Sequence, residues 1–233
     1  MITVRPAAAR GATRLDWLDS RHSFSFAEYF DPDHMGFGPL RVINDDRIAG
    51  GGGFGMHGHR DMEIVTWMIE GALRHGDSLG NGSVIRAGEV QRMSAGTGIR
   101  HSEINDSPAQ SVHLLQIWIV PDTDGLQPGY EQTMVEAAAK RGRLAPVAGP
   151  PGTGAAVTIR QDATILATAL EPGETARHAL RPRRRAWVQV AQGGMAVNGT
   201  TLGPGDGAAL EGESALDLAG VPGGGEALVF DLP

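Results

Sequence analysis

The chain has 233 residues, 34 of them glycine and 14 proline, with no cysteine and a formal charge of −7 from 20 Lys and Arg against 27 Asp and Glu. That length allows one large domain or two smaller ones, each able to bury a core. The lack of cysteine excludes disulfides, thiolate metal sites and a thiol nucleophile, and the acidic balance opposes coating of a phosphate backbone by the overall field. The one basic run, Arg181, Arg183, Arg184 and Arg185, reads as a solvated loop, so no direct nucleic-acid binding is expected. The first residues lack the apolar core of a signal peptide, and no segment approaches the run of about 20 apolar residues that a membrane span needs. A soluble, cytoplasmic protein without membrane contact is expected.

Abundant glycine and proline suit many short strands joined by tight turns, which predicts an all-β class. A helical turn is expected over residues 25–29. Short apolar runs bounded by Gly, Asn or Asp predict strands at 40–43, 62–69, 83–85, 112–120, 158–170, 187–190 and 228–232. In the run 112–120, Leu115, Ile117 and Ile119 share one face. Asn81-Gly82 and Asn198-Gly199 are expected as tight turns. Residues 130–143, YEQTMVEAAAKRGR, carry good helix formers and precede the Gly/Pro-rich stretch 148–154. The expected organisation is therefore an N-terminal barrel over 1–135, a helical and Gly/Pro-rich connector over 136–153, and a C-terminal barrel over 154–233.

The chemistry concentrates in two segments. GGGFGMHGHRDME (51–63) places His57 and His59 at i and i+2 before an apolar strand, so both imidazoles leave one face. AGTGIRHSEIN (95–105) repeats the device with His101 and Glu103. If the two strands pair or face each other, three imidazoles and one carboxylate converge. Such a set suits Fe(II), Mn(II), Ni(II), Cu(II) or Zn(II). Among the eight histidines, His22, His34, His75, His113 and His178 read as structural or surface groups. Residues 154–233 offer only His178, so a metal is expected in the N-terminal barrel alone. Metal-bound imidazoles need a partner on their second nitrogen, and Asp61 and Glu63 are the nearest acidic candidates in sequence.

His57-Gly58-His59 with Glu63 and Gly71 resembles the first motif of the cupin superfamily, and Gly98-Ile99-Arg100-His101 with Asn105 resembles the second. More narrowly, FSFAEYFDPDHMGFGPLRVINDD (24–46), the segments 51–81 and 86–105, and SVHLLQIWIVPDTDGLQPGYEQ (111–132) resemble the pirin family. The C-terminal half follows more loosely through IRQDA, AWVQV, NGTTLGPGDGAAL and LVFDLP. The resemblance implies a bicupin, two antiparallel β-barrels, with one divalent metal, preferentially Fe(II), on His57, His59, His101 and Glu103. Glu63 occupies the position of the usual cupin glutamate and competes for that role. It lies four residues beyond His59, about 13 Å along a regular strand, whereas Glu103 lies two residues from His101, about 6 to 7 Å. Glu103 is therefore the expected ligand. Gly96 stands where the general second cupin motif often has proline.

Pirins resemble, and some act as, quercetin 2,3-dioxygenases, so the resemblance implies a flavonol-like aromatic substrate and dioxygen, with Glu103 as a loosely coordinated catalytic base. An alternative is a metal-binding regulatory module acting through a protein partner. A third is a metal-bound protein without turnover. The enzymatic reading is preferred.

Overall fold

A computed structural model describes all residues, Met1–Pro233. Its strands in chain order are β1 (Ile2–Arg5), β2 (Gly11–Leu15), β3 (Leu18–His22), β4 (Leu40–Ile48), β5 (Gly53–His59), β6 (Glu63–Glu70), β7 (Ala72–Asp77), β8 (Gly82–Arg86), β9 (Glu89–Ser94) and β10 (Ile99–Asn105). They continue as β11 (Val112–Ile119), β12 (Gly129–Met134), β13 (Ala145–Gly149), β14 (Val157–Thr158), β15 (Thr164–Leu170), β16 (Thr175–Ala179), β17 (Arg185–Val197), β18 (Thr200–Leu202), β19 (Gly207–Leu210) and β20 (Ala215–Leu232). Helix is confined to a 3-10 turn at Ala7–Ala9 and the short α1, Ala137–Lys140. The all-β expectation holds.

The chain forms two compact units, Gly11–Met134 with Val157–Gln161, and Met1–Arg10 with Val135–Ala156 and Asp162–Pro233. These units do not follow the expected linear cuts. Strand β1 pairs with β19, and β13 pairs with β15, so the first residues and part of the supposed connector belong to the C-terminal sheet. The expected helix over 130–143 shrinks to four residues, because its first part is strand β12, paired antiparallel with β9. Sheet pairing outweighs the helix propensity of isolated residues here. Residues 25–29 form a tight turn closed by a Phe26–Tyr29 bridge, with Ala27 at φ 49°, rather than a helical turn. Asn198 (φ 46°) and Gly199 (φ 81°) form the expected hairpin turn between β17 and β18. Asn81-Gly82 does not centre its turn; Asp77 Oδ1 instead accepts the Leu79 and Asn81 amides and wraps the connection.

The first unit has a seven-stranded antiparallel sheet in the order β12-β9-β6-β11-β4-β3-β2 and a four-stranded sheet in the order β5-β10-β7-β8. Strands β4, β6 and β11 are rich in Val, Ile, Leu and Trp and are covered on both faces, hence nearly continuously buried. Leu18, Ile48, Met68, Leu73, Ile85, Val112 and Leu114 form one apolar cluster, and Ile64, Met93, Ala95 and Ile99 another. Each fully buried Val, Leu, Ile or Met side chain among them contributes roughly 1.5–3 kcal/mol. Between these clusters, the interior rows of the large sheet carry polar residues.

The second unit is built on β1-β19-β17-β20-β15-β13, with β18 on β17 and β16 on β20, around Leu170, Val188, Val190, Leu216, Leu218 and Val229. Trp187, Val188 and Val190, in the expected strand 187–190, are core. The basic run is not uniformly solvated. Arg184 is buried, its Nη1 donating to both carboxylate oxygens of Asp162 and its Nε to Asp231, while His178 Nε2 lies 2.7 Å from Asp231 Oδ2.

Candidate metal centre

Strands β5 and β10 pair antiparallel with His101 opposite His57 and Ile99 opposite His59. The register then shifts, so that Glu103 faces Phe54 and β5 carries one extra residue at Gly55-Met56. This bulge re-aims the side chains after it. The Gly55 carbonyl accepts a hydrogen bond from His57 Nδ1 at 2.8 Å, which fixes the proton on Nδ1 and leaves the Nε2 lone pair available. His59 Nε2 and His101 Nε2 lie 3.0 Å apart. The donor atoms of His57, His59 and His101 all fall within 4.8 Å of one another.

A second triad with the same spacing joins His101 to Glu103 and His75. His75 cannot donate a lone pair, because both its ring nitrogens are engaged. Gln91 Nε2 donates to Nδ1 at 3.0 Å, and Nε2–H then donates to Asp77 Oδ2 at 3.0 Å. His75 thus packs behind His101, their ring centroids 5.5 Å apart, and stacks on Tyr130 at 4.6 Å. That leaves Glu103, 3 % exposed, as the acidic member; its Oε2 accepts from Gln116 Nε2 at 2.8 Å and its Oε1 has no partner. A buried oxygen without a partner is costly and is the group that a cation would satisfy. His101 Nδ1 is likewise buried without a partner.

Burial, reinforced by the neighbouring rings, pushes the His59 imidazolium down to about 4 and that of His101 to about 3, so both are neutral lone-pair donors near pH 7. Burial pushes the Glu103 carboxyl up to about 7, against the opposing bonds from Gln116 and Thr66. An all-nitrogen and oxygen set of neutral imidazoles around a poorly solvated carboxylate fits a divalent first-row ion.

Glu63 lies elsewhere. It sits on β6 in the other sheet, where its Oε2 accepts from Ser94 Oγ at 2.7 Å. Asp61 accepts from the Gly125 amide at 2.7 Å. Neither supports a site imidazole, contrary to the acidic-partner expectation, and for His57 the partner is backbone. Gly96 stands at φ 45°, which proline cannot adopt, and a Cβ there would meet the Leu126 carbonyl oxygen at 1.9 Å.

The imidazoles and Glu103 line a cavity of about 290 Å³. Its apolar walls include Phe26, Ile64 and Trp118. Trp118 meets Phe26 edge-on at 5.4 Å and His59 at 4.9 Å. Such a mixture of flat apolar walls and a few convergent polar groups is typical of a small-molecule site.

Residues 3–119 match the family model Pirin, and residues 146–232 match that of the quercetinase C-terminal cupin domain. The chain is 45% identical over its full length to quercetin 2,3-dioxygenase of Escherichia coli (strain K12), covering 99% of that protein. The chain belongs to the pirin family. Its fold matches the crystal structure of YhhW from Escherichia coli with a TM-score of 0.95 at 45% identity, covering 100% of this chain and 98% of that one. It matches the nickel(II) complex of the bacterial pirin YhhW, also from Escherichia coli, with a TM-score of 0.94 at 45% identity, covering 100% and 99%. As a pirin, the chain is a bicupin, and the two antiparallel β units are its cupin halves.

Sequence reasoning missed the polar lining. Asp46 and Gln116 of the lining, and Thr66 and Gln91 behind Gln116 and His75, carry no motif, and attention to Leu115, Ile117 and Ile119 passed over the cavity face of β11, which presents Gln116 and Trp118. For Thr66 and Gln116 the available signal was a polar residue within a largely apolar strand; Asp46 and Gln91 sit among other polar residues and offered none.

Proposed function

We propose that this pirin is a metal-dependent dioxygenase that opens a flavonol such as quercetin with dioxygen, using one divalent ion held by His57, His59, His101 and Glu103 in the N-terminal unit alone. The observation that carries this reading is the meeting of three lone-pair imidazoles with a buried, half-unpartnered carboxylate at an apolar cavity sized for a small aromatic ring system. The name of the Escherichia coli relative, quercetin 2,3-dioxygenase, points to the same chemistry. We take Fe(II) as the resident ion; the nitrogen and oxygen set also suits Ni(II), Mn(II), Cu(II) and Zn(II).

When bound, the ion supplies Lewis acidity that lowers the pKa of a coordinated substrate hydroxyl. Glu103, loosely coordinated through one oxygen, would be the base that takes up that hydroxyl proton. Gln116 holds the other oxygen in place. Phe26, Ile64 and Trp118 fix the plane of the ring system and keep bulk water away from the anion.

The test is aerobic incubation of Fe(II)-loaded protein with quercetin, following loss of flavonol absorbance and release of carbon monoxide, alongside metal analysis. Turnover well above free Fe(II), abolished in His101→Ala, with about one ion per chain, is expected. Turnover equal to free Fe(II) would refute the enzymatic reading.

A further inference from the structure

The cavity holds a second acid that the metal centre does not use. Asp46 lies on β4, opposite Ser20 of β3 and Leu114 of β11, with the same inward parity as Asn44 and Ile48. It is 2 % exposed, it lines the same cavity as the imidazoles, and its Oδ1 has no partner. The polar groups beside it on the wall are better provided for. His22 Nδ1 donates to Asn44 Oδ1 at 2.8 Å, and Thr13 Oγ1 lies 2.8 Å from His22 Nε2.

A purely structural buried acid would be expected to have both oxygens satisfied, since each unpartnered one carries its full desolvation penalty. An apolar residue of similar volume would be the more stable choice. Burial, together with nearby Asp45 and Glu103, raises the Asp46 carboxyl to about 7 against a bond from Ser20, so near neutral pH it can either accept or donate a hydrogen bond. Thr13, Ser20 and Asn44 surround it with further hydroxyl and amide groups, whereas Phe26, Ile64 and Trp118 offer only flat apolar contact.

We propose that Asp46 is a specificity residue that binds a ring hydroxyl of the ligand other than the one at the metal, so that the cavity selects polyhydroxylated aromatics over aromatics carrying only a chelating group. This rests on the flavonol reading above. It assigns to Asp46 a contact with the ligand and no role in holding the ion.

The test is equilibrium binding to the full chain stripped with EDTA and reloaded with Ni(II), under anaerobic conditions so that nothing turns over. The probes are 3-hydroxyflavone, which carries only the chelating hydroxyl, and galangin and quercetin, which add ring hydroxyls. A buried hydrogen bond to an ionisable group corresponds to roughly a 10- to 100-fold preference for at least one hydroxylated probe. That preference should fall below about threefold in Asp46→Ala, with 3-hydroxyflavone affinity and Ni(II) content unchanged. If the alanine variant does not fold, Asp46→Asn keeps the shape and should reduce the preference at least severalfold. A wild-type protein that binds 3-hydroxyflavone but shows no preference overturns the proposal, as does an Asp46 variant that keeps the full ratio. Loss of all nickel-dependent flavonol binding by the wild type would refute the flavonol reading and the Asp46 assignment with it.

Discussion

Replacing Glu103 with glutamine separates ligand function from folding, because the two effects should have opposite signs. Burial raises the Glu103 carboxyl from 4.5 to about 7. Above pH 7 the metal-free native state therefore carries an ionised group that the unfolded chain ionises more readily. The shift corresponds to about 3 kcal/mol of destabilisation at pH 8, absent below pH 4.5 and growing as the pH rises towards 7. Glutamine removes the charge and can still accept from Gln116, but its own amide nitrogen is left where Oε1 had no partner, at a cost of about 1–2 kcal/mol. Metal-free Glu103→Gln should thus be about 1–2 kcal/mol more stable than wild type at pH 8 and about 1 kcal/mol less stable at pH 4.5. Loss of the anionic ligand should weaken the ion by about 3–5 kcal/mol, more than a hundredfold. Glu63→Gln, whose carboxyl is held by Ser94 away from the cavity, should leave metal affinity within about threefold. Urea unfolding of EDTA-treated protein at the two pH values, with chelator competition for Ni(II), measures both quantities. A metal-free Glu103→Gln protein less stable than wild type at pH 8 would refute the burial argument. Retained metal affinity there, with loss in Glu63→Gln, would show that the carboxylate ligand had been misassigned.

Metal affinity should rise with pH towards neutrality. His59 and His101 are already neutral above about pH 4, whereas the Glu103 carboxyl, raised by burial to about 7, must give up its proton to the ion, so affinity rises by at least about tenfold per pH unit between 5 and 7, as read by Ni(II) titration across buffers. Gln116→Leu removes the donor to Glu103 Oε2 and should weaken Ni(II) binding roughly 10- to 100-fold while the metal-free far-UV spectrum is retained; unchanged affinity would show that the amide does not orient the ligand. Gly96→Ala places a Cβ 1.9 Å from the Leu126 carbonyl at a positive φ and should lower stability by more than about 2 kcal/mol in thermal unfolding.

The candidate ligand residues were legible because metal binding demands particular side chains at particular spacings, and His57-x-His59 and His101-x-Glu103 stand as local patterns beside the bulge at Gly55-Met56. Non-local pairings were not legible. Nothing in the first ten residues announces that β1 will pair with β19, and the helix formers after Tyr130 gave no sign that β9 needed an edge partner. The interior polar belt falls between these cases. His22, Asn44, Gln116, Thr66 and Gln91 stand directly opposite one another across β3, β4, β11, β6 and β9. Thr66 and Gln116 interrupt largely apolar strands, whereas His22, Asn44 and Gln91 sit among other polar residues, and only the register aligns the five into a row. Within that row Thr66 Oγ1 lies 2.8 Å from Gln91 Oε1 and 2.9 Å from Gln116 Oε1, which links the carboxylate partner Gln116 to the His75 partner Gln91. An apolar row would pack as well and fold more readily. Its polarity is therefore best explained by what faces it across the cavity, a carboxylate that must be held in one orientation on the opposite sheet.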